Sequence, residues 1–168
     1  PLNLSGNLLS PAQEAGLGQV FHDQYQLDVR LIDDPTLLAY LTAIGRRLQA
    51  HLPGDTGEVR FALTDAPGLT GVSVPGRIYI SRKLVALARS EDEIAGVMAH
   101  ELGHLAARHA ALGLSRSIRK YLKVTQVDPT ESASDLYSRL LDAIARAPLW
   151  EQGIDFGNHQ RIGAEFEH

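Results

Sequence analysis

Val97-Met98-Ala99-His100-Glu101-Leu102-Gly103-His104 reads as His-Glu-x-x-His set inside an apolar-periodic helix, and the rest of the chain is best understood outward from it. At roughly 100° per residue, His100 and His104 fall about 40° apart and one turn apart in height, so both imidazoles can reach one metal ion. Glu101 sits on the adjoining flank, where its carboxylate can take a proton from a water held by that metal. These residue types at this spacing point to zinc-assisted peptide hydrolysis. The plainer alternative is two partly exposed helix histidines beside a solvated glutamate. It is weakened by Ser90-Glu91-Asp92-Glu93, a capping box that starts a helix ahead of the motif and puts the pair well inside it.

The motif helix is expected to run from about Glu91 to Ala111, preceded by a short helix over Lys83 to Arg89. Upstream, Ser10-Pro11-Ala12-Gln13 supplies an N-cap, a first-turn proline and an N3 partner for a helix carrying Ala15, Leu17, Val20 and Phe21. Asp33-Asp34-Pro35 starts a second, whose Leu37, Leu41, Ile44 and Leu48 recur at helical spacing before Pro53-Gly54 closes it. Val59 to Thr64 and Arg77 to Ser81 alternate apolar with polar, and Pro67-Gly68 and Pro75-Gly76 punctuate the stretch between them, which predicts a small sheet of two or three strands. Arg77 to Ser81 is either an exposed edge strand or an ordinary paired one. Ser115 to Thr125 reads as a helix continuation or a mobile loop. Asp128-Pro129-Thr130-Glu131 starts a further helix with Leu136, Leu140, Leu141 and Ile144 on its apolar face, stopped by Pro148. Trp150 to Gly157 reads as loop, and Arg161 to His168 as the first turns of a last helix. The fold class is therefore α+β, mainly helical, with the sheet beside the motif helix, and residues 1–168 are expected to form one domain cut short at its C-terminal end.

Composition narrows the function. The chain has 168 residues, 44% of them hydrophobic, and a net charge of -4, enough for one core and no basic surface for a nucleic-acid backbone. It has no cysteine, so zinc must be held by His, Asp or Glu. No apolar run is long enough to span a membrane. Pro1 is not a natural initiator, and the chain reads as a processed or trimmed piece, compatible with a removed signal or an anchor outside these residues.

Two histidines leave a catalytic zinc short of one protein ligand. In metzincins the third would be a histidine six residues after the second, but Ala110 stands there and Ala107 replaces the glycine. On a continuous helix His109 projects about 140° or more from the ligand face, so it reads as a packing or hydrogen-bonding residue. A carboxylate from a second helix remains: Glu165 or Glu167, with Glu151, Asp155 and His159 less well placed in a loop. Gly96, Ala99, Gly103 and Ala107 form a stripe without side-chain bulk beside the histidines, either a packing requirement for that second helix or simple tolerance.

These stretches resemble the HtpX-like and BepA-like zinc metallopeptidases, family 48 of the metallopeptidases, which include the CAAX prenyl proteases and the mitochondrial stress proteases. Ser10-Pro11-Ala12-Gln13-Glu14 with Leu17-Gly18 is similar to the family's N-terminal Ser-Pro-x-x-Glu element, and Asp33-Asp34-Pro35 with Tyr40 and Gly45 to its Asp-Pro helix. Val74 to Ile80 resembles its Pro-Gly-Gly-x-Ile-Tyr-Ile strand, and Glu91 to His104 with Arg108-His109 is close to its motif helix. The likeness covers nearly the whole chain. It implies a gluzincin-like endopeptidase with one zinc on His100, His104 and the first Glu of a Glu-x-x-x-Asp motif, with Glu101 as base and then acid. The family register selects Glu167 over Glu165. It also implies an unfolded or misassembled polypeptide substrate in the cell envelope, periplasmic or membrane-associated. Two departures stand out: Thr70-Gly71-Val72 replaces the family's Asn-Ala-Phe, and the chain ends before the Asp of the ligand motif. The rival expectation is a zinc-containing, chaperone-like binding module without catalysis, or a latent enzyme whose groove is covered by a loop such as Ser115 to Thr125.

Overall fold

The computed structural model describes residues 5–148 apart from residue 55. Helix α1 (Pro11–Asp28) begins at the expected cap: the Ser10 hydroxyl accepts from the Gln13 N–H and the Gln13 side chain returns a bond to the Ser10 N–H. Buried Gln13 also donates to the carbonyls of Asp128 and Glu131, tying the start of α1 to the loop before the last described helix. Strand β1 (Leu31–Ile32) is followed by α2 (Pro35–Gln49), capped by Asp34. Then come β2 (Arg60–Thr64), β3 (Gly71–Val74), β4 (Arg77–Ser81) and the short α3 (Arg82–Leu87).

Among the described residues the strands form one sheet in the order β1-β2-β4-β3. β2 and β4 are parallel, and the outer pairs β1–β2 and β3–β4 are antiparallel. Four strands exceed the two or three expected, because a two-residue strand carries no periodicity to read. The edge-strand alternative for Arg77 to Ser81 is corrected: β4 is hydrogen-bonded on both sides, and its neighbour β3 is an edge strand. A central strand is buried on both faces, and β4 shows this, with Ile78, Tyr79 and Ile80 each at most 1% exposed.

Helix α4 (Glu91–Ala106) carries the motif. Its cap is Ser90, which accepts from the Glu93 N–H, while the Glu93 carboxylate takes the N–H of Arg89 rather than that of the cap. The helix stops short of the expected Ala111. Arg108 adopts the left-handed conformation at φ 51°, and α5 (His109–Leu122) sets off in a new direction. A non-glycine residue there costs on the order of 1 kcal/mol. Ser115 to Leu122 is helix, with Ser115, Ser117 and Ile118 buried, so it is not the loop that the latency reading required. Helix α6 (Ala133–Arg146) starts at a Ser132 cap, later than expected. Asp128 instead closes a turn by accepting from Thr130. Leu136 and Leu140 are fully buried, whereas Leu141 is exposed and leaves the apolar face assigned to it.

The sheet separates two cores. Leu63, Ile78 and Ile80 face α2 and α4, where they meet Leu41, Ile44, Met98 and Leu102. Val74 and Tyr79 face the other way, onto α1, α5 and α6 with Leu17, Leu114, Ile118, Leu136 and Leu140. The chain passes from the first layer to the second at Arg108.

Candidate active site

One face of α4 presents the motif beside β3. The Nε2 atoms of His100 and His104 lie 2.9 Å apart with the rings nearly perpendicular at 81°. Two nitrogens on one tetrahedral zinc, each at roughly 2.0–2.1 Å, stand about 3.3 Å apart, so a small ring rotation would bring the pair to the spacing that a shared metal requires. Glu101 is 2% exposed, and its Oε2 has no hydrogen-bond partner. An unpartnered buried carboxylate oxygen is costly, and on the same helix turn as two facing imidazoles it fits a site built around a further polar group. A zinc ion with its water has that chemistry.

Close approach of β3 explains how Glu101 is held. A Cβ on Gly71 would stand 2.8 Å from Val97 Cγ1, 3.0 Å from Glu101 Cγ and 3.3 Å from Glu101 Oε1. Backbone here packs directly on the carboxylate, and glycine is what permits it. In the β3–β4 ladder Ser81 donates to the Thr70 carbonyl. Because antiparallel partners alternate, the main-chain N–H and C=O of Gly71 and Ser73 point to the open edge. No other described strand pairs with that edge. The side chain of Ser73 is buried with its hydroxyl unpartnered. It lines a cavity of about 530 Å³ that also reaches Arg77, His104, Arg108 and His109.

His109 is the residue the sequence placed wrongly. The left-handed turn at Arg108 removes the continuous helix on which the 140° separation rested, and His109 Nδ1 comes to 2.5 Å from His104 Nδ1. The hydrogen-bonding role anticipated for it has a partner. His104 thus meets His100 through Nε2 and His109 through Nδ1, on opposite sides of its ring, so the three imidazoles do not converge on one point. Among the described residues no group of three His, Asp or Glu is arranged to hold a metal. Glu167 and Glu165, together with Glu151, Asp155 and His159, lie outside the described residues. The small-residue stripe shows no close neighbour there either: a Cβ on Gly96 or Gly103 would meet nothing within 4 Å.

Sequence reasoning also missed Glu14 and Gly71. The Glu14 carboxylate, largely buried, takes Arg108 Nη1 at 3.1 Å and Asn7 Nδ2 at 2.7 Å. Glu14 stood in the quoted N-terminal element and Arg108-His109 in the quoted motif helix, so both were visible, but nothing local says that they meet. No described helix is long and apolar enough to cross a membrane.

Comparison with known proteins points to the same stretch of chain. The profile of Peptidase family M48 matches residues 69–142, from the approach to β3 through α4 and into α6. The chain is 30% identical over 108 residues to the beta-barrel assembly-enhancing protease of Escherichia coli K12, covering 64% of this chain and 22% of that protein. It is 28% identical over 116 residues to the protein of the same name from Yersinia pestis, covering 68% of this chain and 24% of that one. The chain thus spans about a quarter of the length of these curated relatives. The stretch that carries the likeness is the one that holds the candidate site, and over it the chain is similar to peptidase family M48.

Proposed function

We propose that this chain is a single zincin-like metallopeptidase domain acting as a zinc-dependent endopeptidase. The observation that carries the reading is the buried Glu101 carboxylate, one oxygen unpartnered, on the helix turn that also brings the Nε2 atoms of His100 and His104 face to face. His100 and His104 would hold one zinc together with a carboxylate from outside the described residues, Glu167 or alternatively Glu165. Zinc, when bound, acidifies a water and polarises the scissile carbonyl. Glu101 accepts that water's proton and delivers it to the departing amine, a task that its position under Gly71 suits. The free main-chain groups of Gly71 and Ser73 receive an extended polypeptide by strand addition.

Strand addition reads backbone more than side chains, which favours unfolded or misassembled polypeptides. The relatives are named for enhancing β-barrel assembly, which supports a substrate among envelope proteins and a periplasmic or membrane-associated location. The test is zinc reconstitution followed by casein hydrolysis with and without a chelator. About one equivalent of zinc and chelator-sensitive cleavage are expected. Glu101→Gln should keep the metal and lose hydrolysis, and His104→Ala should lose both. Zinc bound with no cleavage of any unfolded substrate would instead favour the chaperone-like module, and the absence of any bound transition metal would remove the metallopeptidase reading.

A further inference from the structure

We propose that His109 is a positioning residue for His104, and that the Glu14–Arg108 ion pair holds it in place. The metal half of this inference rests on the reading above. A neutral imidazole donates from one ring nitrogen and accepts at the other, so whatever meets Nδ1 decides what Nε2 can do. His109 Nδ1 faces His104 Nδ1. When His109 accepts there, His104 carries its proton on Nδ1, and the lone pair of Nε2 is turned to the point shared with His100 Nε2.

The turn is what makes this contact. Continued as a helix, the chain would carry His109 to the far side of α4; the left-handed Arg108 reverses it. Glycine would adopt that conformation freely, yet an arginine stands there, with its side chain on a largely buried carboxylate from α1. Glu14 is itself fixed from its other side by Asn7. The brace therefore runs from the first helix to the second histidine of the motif, across the cavity that Glu14, Arg108, His104 and His109 line together.

Two measurements on the full-length protein test it. In the metal-free form, well above the ordinary imidazole titration range, long-range proton–nitrogen NMR assigned against His104→Gln should show His104 as the Nδ1–H tautomer, and His109→Ala should lose that bias. In zinc titration against a competing chelator, His109→Ala should weaken binding about ten- to a hundredfold. His109→Asn, which restores an acceptor near Nδ1, should recover most of it, and Glu14→Ala should show a smaller loss of a few-fold. An Nε2–H tautomer in the wild type overturns the proposal whether or not zinc binds. So does a His109→Ala zinc affinity within twofold of wild type. Failure of the wild type to bind zinc would sink the peptidase reading while the tautomer still decides the role of His109.

Discussion

Gly71 has no side chain because Glu101 and Val97 occupy the space one would need, and that contact fixes how far the carboxylate can wander. Gly71→Val forces β3, Val97 or Glu101 to shift. Zinc content should stay at the wild-type level while kcat/KM on an unfolded substrate falls by tenfold or more, since a displacement of about 1 Å at a catalytic group costs up to a hundredfold. A wild-type rate would mean that β3 does not constrain the base. On the opposite face of the sheet, Tyr79 is 1% exposed, with its hydroxyl 2.7 Å from His22 Nδ1 and its ring against Tyr25. Burial pushes its phenol up to about 12, against the opposing influence of Arg77. The folded chain then holds that proton more tightly than the unfolded one, whose phenol titrates near 10. The resulting stabilisation is complete below about pH 10 and is lost as pH rises toward 12. Urea unfolding across this window should show the wild type losing on the order of 2 kcal/mol more than Tyr79→Phe. Parallel losses in the two proteins would refute it.

Helices declared themselves through short-range chemistry. The Ser10, Asp34 and Ser90 caps and the periodic leucines of α2 are decided within a few residues, so their starts stood in the sequence. That His100, Glu101 and His104 share one helix was legible for the same reason, being decided within a single turn. The end of α4 was not, because the left-handed turn at Arg108, whose side chain pairs with Glu14 of α1, leaves no local mark in the sequence. The alternation of β4 marked a strand but not its neighbours, and its central place depends on pairing with β2 and β3 at a distance. That place yields a prediction about β3. The N–H of Ser73 points to the free edge, whereas the N–H of Val72 belongs to the ladder, so proline should act differently at the two positions. Ser73→Pro should leave the melting temperature within a few degrees of wild type and raise KM for an unfolded substrate. Val72→Pro should destabilise the fold outright. Equal loss of stability in both variants would show that the edge is not open to a substrate strand.

At the scale of the molecule, the sheet stands between two cores, and the chain crosses from one to the other at the turn that carries His109. The α2/α4 layer supplies His100, Glu101 and His104, and the α1/α5/α6 layer supplies Glu14 and the seat of α5. A site braced from both layers requires that they fold as one unit. Tight interlayer contacts support this: a Cβ on Gly18 of α1 would fall 2.0 Å from the Pro75 carbonyl oxygen, and one on Gly45 of α2 would fall 2.0 Å from Phe61 Cζ. Both helices therefore press on the sheet with no slack between them. Leu17→Ala in one core and Leu102→Ala in the other remove fully buried side chains, and each should cost about 2–5 kcal/mol. If the two layers are one cooperative domain, each substitution shifts a single urea transition seen identically by far-UV and near-UV circular dichroism. A Leu17→Ala protein that unfolds in two steps, with α4 and its histidine pair surviving the first, would show instead that the layers are separable and that the site can stand without its brace.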